Sequence, residues 1–384
     1  MATKTVAVLG AGTGGLVAAR RLRRRLGDDH RVVLVDREPT YAFAPAYLWV
    51  LTGARRPAQI QRDLRRLERF GIELLTADVL EIDTTRRLVK TSEADLDFDH
   101  LVIALGAELA PETLPGFADG AHNIYTLAGA EHAGKALAHF SGGHVVVLVS
   151  RLPYKCPAAP YEVAFLVEAA LRRRGVRDET RIDIYTPEPF PMPTAGPELG
   201  HALEQMLAER DIGFHPEAPA ERVDAKAGQV VLTGGTRVPA NLLLGVPPHQ
   251  SPDVARHSGL AAETGFLPVD RASLATTVEG VYAIGDVTTI PIAGDKFLPK
   301  AGVFAHAEAE VVAKRIAAEA TGRVATASFD GKGACFVELG EGRAASAAGD
   351  FYAEGAPRVR LRHPGRRWHL AKVAFEQYWL RRWL

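Results

Sequence analysis

The chain has 384 residues, 47% of them hydrophobic, and its 46 basic side chains balance 46 acidic ones. That is core enough for two or three domains, with no global charge to recruit nucleic acid. No run of about 18 apolar residues offers a membrane span, no charged-then-apolar leader opens the chain, and two cysteines, Cys156 and Cys335, are too few for a disulfide framework.

The first apolar run, Val6 to Leu9, is followed by Gly10-Ala11-Gly12-Thr13-Gly14-Gly15 and a stretch rich in Ala, Leu and Arg. A second run, Val32 to Val35, ends at Asp36, 21 residues after Gly15. Strand, Gly-x-Gly-x-x-Gly, helix, strand and acid is the dinucleotide-binding pattern. Gly10 permits the turn, Gly12 lets the backbone approach a pyrophosphate, and Gly15 lets the helix pack on the strand. The helix N-terminus then faces the phosphates. Asp36 suits the two ribose hydroxyls and disfavours a 2′-phosphate.

Phe98 to Gly106, "FDHLVIALG", is a buried strand ending in small residues. After it a second α/β unit begins. A helix over 128–140 leads to the strand His144 to Val149, then to a helix over 159–174, a strand over 181–185 and a helix over 197–210. The turn after His144–Val149 should hold a second glycine cradle in an NADH-using flavoprotein. It reads Ser150-Arg151-Leu152-Pro153-Tyr154-Lys155-Cys156-Pro157. Its prolines lack N–H donors and its glycines are gone, which argues against NADH there. Further on, "VYAIGDV", Val281 to Val287, is another strand, ending in Gly285-Asp286, and a helix is expected over 301–319. The chain closes on "WHLAKVAFEQYWLRRWL", Trp368 to Leu384. As a helix it would present Leu370, Val373, Phe375, Tyr378, Trp379 and Leu380 on an apolar face rimmed by Lys372, Arg381 and Arg382. That composition suits a non-spanning interfacial helix; packing on the protein's own core or a dimer interface is the structural alternative.

"FDHLVIALG" and "VYAIGDV" resemble the FAD signatures of flavoproteins with two dinucleotide-binding domains. The wider chain resembles the sulfide:quinone oxidoreductases and the flavoprotein subunit of flavocytochrome c sulfide dehydrogenase. The similarity is carried by "YKCPAAPYE", "GVPPHQSPDVARHSGL", "VYAIGDVTTIPI", "LPKAGVFAHAEAEVVA" and "GKGACFVELGEGRAA". Many members have a third cysteine upstream of the 144–149 strand; the matching "HNIYTLAGAEHA" has none. The resemblance implies an α/β fold of two Rossmann-like domains plus a small C-terminal domain with an amphipathic helix. The FAD domain would comprise 1–106 and 254–322, the second domain 107–253, and the C-terminal domain 323–384. It implies FAD held by Gly10, Gly12, Thr13, Gly15, Asp36, Arg37, Pro45, Val79, Ala104, Gly106, Gly285, Asp286, Lys300 and Gly302. No cysteine lies near 41–49, so the flavin should be non-covalent. No metal site is expected.

The chemistry so implied is oxidation of sulfide through a Cys156–Cys335 redox disulfide, with electrons passing through FAD to a membrane quinone. Cys156 precedes a helix, a position that lowers a thiol pKa. Glu162 has two readings, a helix-dipole partner worth under about 1 kcal/mol or a proton acceptor. His132 matches a histidine of some relatives but sits on a helix face, where a structural role is common. Lys300 is either a surface lysine or a cation beside the flavin pyrimidine ring. Pro45 either shapes a loop or lies against the isoalloxazine. Phe336, Phe375 and Tyr378 are candidates for the quinone site. The expected location is peripheral, on the cytoplasmic face of a membrane, with self-association left open. A cytochrome c acceptor, a type II NADH:quinone reductase, and a non-enzymatic FAD scaffold are the competing readings.

Overall fold

The computed structural model describes residues 3–384. In chain order the first half begins with β1 (Thr5–Leu9), α1 (Thr13–Leu26), β2 (Arg31–Asp36), β3 (Glu73–Thr76) and β4 (His100–Ile103). There follow α2 (Leu127–His139), β5 (Gly143–Val149), α3 (Ala159–Arg174), β6 (Thr180–Tyr185), α4 (Pro197–Ala208), β7 (Ile212–His215) and β8 (Leu242–Val246). The chain then returns with β9 (Val281–Ala283) and α5 (Gly302–Ala320), and ends in β10 (Lys332–Glu338), β11 (Ala344–Asp350), β12 (Arg358–Gly365) and α6 (Arg366–Arg382).

One five-stranded sheet runs β9-β4-β1-β2-β3, all parallel, with Val6 opposite Val32 on one side and His100 on the other. It is assembled from two separate stretches of chain. A second parallel sheet places β8-β5-β6-β7 beside the short edge strand His122–Asn123. A three-stranded sheet near the C-terminus, β10-β11-β12, is antiparallel and sets Cys335 opposite Ala347.

The central strands β1, β4, β5 and β8 read as near-continuous apolar runs because both faces are covered. Val6, Val8, Val32 and Leu34 pack with Leu16 and Val17 of α1. Ala7, Leu9, Val33 and Val35 join Leu101 and Ile103 in a separate cluster on the other face. The helices α1 and α5 lie close because small residues line their contact; a Cβ on Gly14 would be 3.5 Å from Ala305 Cβ. Their N-terminal ends therefore converge at the C-terminal edge of the first sheet, where an open α/β sheet binds its ligands. The helices and strands expected around the second turn fall within one or two residues of their observed bounds.

The C-terminal helix departs from its expected orientation. Trp379 and Leu380 are buried, as are Trp383, Leu384 and Lys372. Trp379 and Trp383 pack on His306 of α5, at 5.6 and 5.4 Å between centroids. Lys372 is not on a solvent rim. Its Nζ lies 5.1 Å from the Trp49 ring and pairs with Glu162 at 2.8 Å. Glu376, fully buried, is gripped by Arg55 at 2.8–3.0 Å. The exposed apolar face that remains is narrower: Leu370, Phe375 and Tyr378, flanked by Arg367 and Arg381. Indoles and two ion pairs fix the inward face, which a pattern of apolar letters alone could not orient.

Candidate active site

The first turn is built around its glycines. Gly10 has φ +95°, and a Cβ there would sit 2.5 Å from Ala104 O. A Cβ on Gly15 would sit 1.7 Å from Gly10 O, an impossible approach, whereas nothing lies within 4 Å of one on Gly12 or Gly106. The turn is closed on the protein side and open on the other. Asp36 supports it: Oδ2 accepts from Ala11 N at 2.5 Å and Oδ1 from Glu38 N at 2.8 Å. Arg37 beside it pairs with Glu108 at 2.9 Å, and Val79 opens a neighbouring strand half-buried. Thr13 and Gly302 begin α1 and α5, and a Cβ on Gly302 would lie 3.4 Å from Thr13 Oγ1. Two helix N-termini thus bring positive dipole ends to one point. Pro45 is exposed in the short turn Ala44–Ala46.

Gly285 and Asp286 follow β9. The Asp286 Oδ1 is buried with no hydrogen-bond partner, and burial pushes this carboxyl up against the pull of Lys155 and Lys300. A buried acceptor without a donor implies one supplied from outside the chain. Together with the open side of Gly12 and Gly106, it fits a bound dinucleotide.

Lys300 is no surface lysine. Its Nζ donates to Asp286 O at 2.8 Å and Thr288 O at 3.0 Å and sits 3.5 Å from the Phe266 ring centroid. Burial lowers its pKa to about 8, against Asp286 and Glu308. Glu308 was missed in the sequence. Its Oε2 accepts from Gly285 N at 2.6 Å, and burial pushes its pKa up to about 7. A signal existed, because Glu308 falls on the apolar stripe of Phe304, Ala305 and Val312, where a carboxylate is out of place.

The second turn runs against this cradle. Cys156 N donates to Lys300 O at 2.7 Å, and Cys156 O accepts from Tyr125 OH at 3.2 Å and Ala159 N at 3.0 Å. Lys155 Nζ reaches Ala107 O at 3.2 Å. Both cysteines are free thiols, near enough for charge on Cys335 to raise the Cys156 pKa. The thiol acidity differs from expectation. Although one edge of Cys156 is exposed, the protein packed around its sulfur, then Glu162, push its pKa up to about 12, with Lys372 pulling the other way. Cys335 is raised to about 11 by burial and Glu162. At the entrance to α3, desolvation and a facing carboxylate outweigh the helix dipole.

Glu162 lies in the first turn of α3 and is buried. Its Oε1 accepts from Glu338 N and from Lys372 Nζ, both at 2.8 Å. Glu338 in turn faces His369 at 3.0 Å. The carboxylate therefore ties helix α3 to strand β10, which carries Cys335, and to helix α6. His132 is not brought to this place. It lies exposed on α2, and no hydrogen bond or ion pair joins it to the cysteines among the described residues. Phe336 and Phe375 form no aromatic pair. The ring partners of Phe375 are Phe43 at 6.0 Å and Trp379 at 5.8 Å.

Two parallel-sheet units on one chain, the first with a nucleotide cradle and the second with a thiol turn, define a flavoprotein-type oxidoreductase with two dinucleotide-binding folds. The pattern of the pyridine nucleotide-disulphide oxidoreductase family matches residues 4–309, and the chain belongs to that family. It is 27% identical over 406 residues to the sulfide-quinone reductase of Aquifex aeolicus, a match covering 98% of this chain and 90% of that protein. It is 28% identical over 304 residues to the mitochondrial sulfide:quinone oxidoreductase of Mus musculus, covering 74% of this chain and 66% of the mouse protein, just short of two thirds. The structure of the sulfide:quinone oxidoreductase from the hyperthermophilic bacterium Aquifex aeolicus superposes with a TM-score of 0.90 at 26% identity, over 99% of this chain and 91% of that one.

Proposed function

We infer that the protein is an FAD-dependent sulfide:quinone oxidoreductase. One connected set of bonds carries the inference. Cys156 N is bonded to the carbonyl of Lys300, whose ammonium is bonded to the carbonyl of Asp286, so the thiol turn hangs directly on the flavin cradle.

In the oxidised protein, a Cys156–Cys335 disulfide accepts HS⁻ at one sulfur. One S–S bond forms and one breaks, leaving a persulfide on one cysteine and a thiolate on the other. Lys372 stands close enough to lower both thiol pKa values, and so stabilises the thiolate. Glu162, bonded to that ammonium, is placed to take the proton of hydrogen sulfide or of the persulfide. FAD, when bound, supplies a two-electron acceptor between the thiols and the quinone. Gly10, Gly12, Thr13, Gly15, Asp36, Gly106, Gly285, Asp286 and Gly302 would hold it. Lys300 places a cation there, and Arg37, Pro45, Val79 and Ala104 complete the wall. The flavin should be non-covalent, since no cysteine lies near residues 41–49.

The acceptor side is assigned to Phe375, Tyr378 and Phe336. Exposed Leu370, Phe375 and Tyr378, between Arg367 and Arg381, suit attachment to the cytoplasmic face of a membrane as a peripheral protein. No helix among the described residues is long and apolar enough to cross one.

The deciding experiment is anaerobic addition of sulfide and, separately, of NADH, while flavin absorbance is followed. Sulfide alone should bleach the flavin. Bleaching by NADH alone would replace this reading with an NADH:quinone reductase.

A further inference from the structure

The units β1–α1–β2 and β5–α3–β6 repeat one topology, and each carries an acid at or just beyond the end of its second strand. In the first, Asp36 reaches back to the turn and accepts from Ala11 N. In the second, the acid is Glu188, three residues beyond the end of β6. It also reaches back, but to a side chain: its Oε2 accepts from Tyr154 OH at 3.0 Å. The same oxygen accepts from Tyr161 OH at 2.5 Å and Thr186 Oγ1 at 3.0 Å. Glu188 is 2% exposed, and no ion pair joins it among the described residues. Where the acid of the first unit binds backbone N–H groups of Ala11 and Glu38, that of the second binds two phenols.

Tyr154 stands two residues before Cys156 and Tyr161 five residues after it. A single carboxylate oxygen therefore anchors the approach to the thiol through Tyr154 and, separately, the body of α3 through Tyr161. Cys156 needs such an anchor. Its φ is +53°, in the left-handed region that a cysteine rarely enters and that persists only where neighbours over-determine it. The bonds to Lys300 O, Tyr125 OH and Ala159 N hold the residue itself. Tyr154 and Glu188 hold the approach to it.

We propose that Glu188, acting through Tyr154, is a positioning residue that fixes Cys156 for its reaction with sulfide. The claim rests on the sulfide chemistry inferred above, but its effect on the thiol can be measured without sulfide. Hydroxyl bonds to a carboxylate are stronger than bonds to a neutral amide. Loosening either partner of the Tyr154–Glu188 bond releases the turn.

The test uses the full-length flavin-loaded protein. Tyr154→Phe, Tyr161→Phe and Glu188→Gln are each made with Cys335 replaced by Ala, and alkylation of Cys156 by iodoacetamide is timed across pH. Flavin content and melting temperature are recorded alongside. Tyr154→Phe and Glu188→Gln should speed alkylation, because a released turn returns to water a thiol whose pKa is held up chiefly by burial, by about tenfold for the former if one pKa unit is regained. Tyr161→Phe should lower the melting temperature with much less effect on the thiol. With Cys335 restored, Tyr154→Phe should slow flavin bleaching by sulfide. Equal effects of the two tyrosine changes on alkylation, or none from Tyr154→Phe and Glu188→Gln, would overturn the proposal and leave Glu188 a packing residue. If sulfide fails to bleach even the unmodified protein, the functional reading falls, and the alkylation arm still judges the anchor.

Discussion

The two turns at residues 10–15 and 150–157 occupy equivalent places, each between a buried parallel strand and the helix that crosses to the next. The first is made of residues that take up no room, and its conformation is bought with glycine, at φ +95° for Gly10. The second is made of residues that fill the room, and its left-handed position is held by a cysteine at φ +53°. The scaffold does the same thing in both cases: it presents a turn at the C-terminal edge of a parallel sheet. Side-chain volume then decides the use. An empty turn can receive a pyrophosphate. A filled one can only offer its own atoms, and here the reactive atom offered is sulfur.

The sharpest way to separate the two turns is to break each. Gly15→Ala forces a methyl group to within 1.7 Å of Gly10 O; the protein should emerge without flavin, read as loss of visible absorbance. Cys156→Ser and Cys335→Ser should do the opposite. Each should keep FAD, released as free flavin on acid precipitation, yet lose sulfide-driven bleaching by about three orders of magnitude or more, and the double variant should be no worse than either single. Near-normal bleaching in one single variant would end the two-cysteine mechanism.

The first turn was legible because its requirements are backbone requirements: a glycine pattern, two apolar strands and Asp36 at the right interval specify it almost alone. The second was legible only by what it lacked. Its prolines and Cys156 excluded an ordinary cradle, but the bonds that replace one come from Tyr125, Lys300 and Glu188, far away in sequence. Glu162 was noticed, whereas its partner Lys372, 210 residues later, was misread as a surface cation. A buried ion pair leaves no local periodicity, and each member looks like a solvated charge until the fold joins them. The thiol acidity failed for the same reason. Proximity to a helix start is visible in sequence, but desolvation and a facing carboxylate are not.

The C-terminal helix offers a second contrast, between its two faces. Trp379 is 2% exposed and packed against Phe43, His306 and Trp383, so Trp379→Ala should cost about 3–5 kcal/mol, measured by denaturant unfolding. Removing residues 368–384 would likewise strip the core and the partners of Glu162 and Arg55. It would therefore report on folding, not on attachment. The exposed face separates the two. Leu370→Glu with Ala374→Glu should change stability by no more than about 0.5 kcal/mol, leave bleaching by sulfide intact, and abolish pelleting with anionic liposomes. Unchanged pelleting would remove the membrane role from this face.

The smallest expected effect concerns Glu162, whose negative charge raises both thiols. In the reduced protein, alkylation should be slow at pH 8 and rise as pH climbs toward about 12 for Cys156 and about 11 for Cys335. Glu162→Gln removes the anion and frees Lys372 from its partner; both changes favour thiolate over thiol. Each profile should move to lower pH, and at pH 8 alkylation should quicken by about tenfold for every pKa unit gained. Sulfide oxidation should move the other way, because the proton acceptor is gone while the thiolates are easier to form. A helix-dipole role alone would change neither rate by much, and a carboxylate that only braced Lys372 would quicken alkylation without slowing turnover. The pair of measurements therefore assigns Glu162 by sign: faster alkylation with slower turnover identifies it as the base of the thiol turn, a part for which the glycine turn has no counterpart.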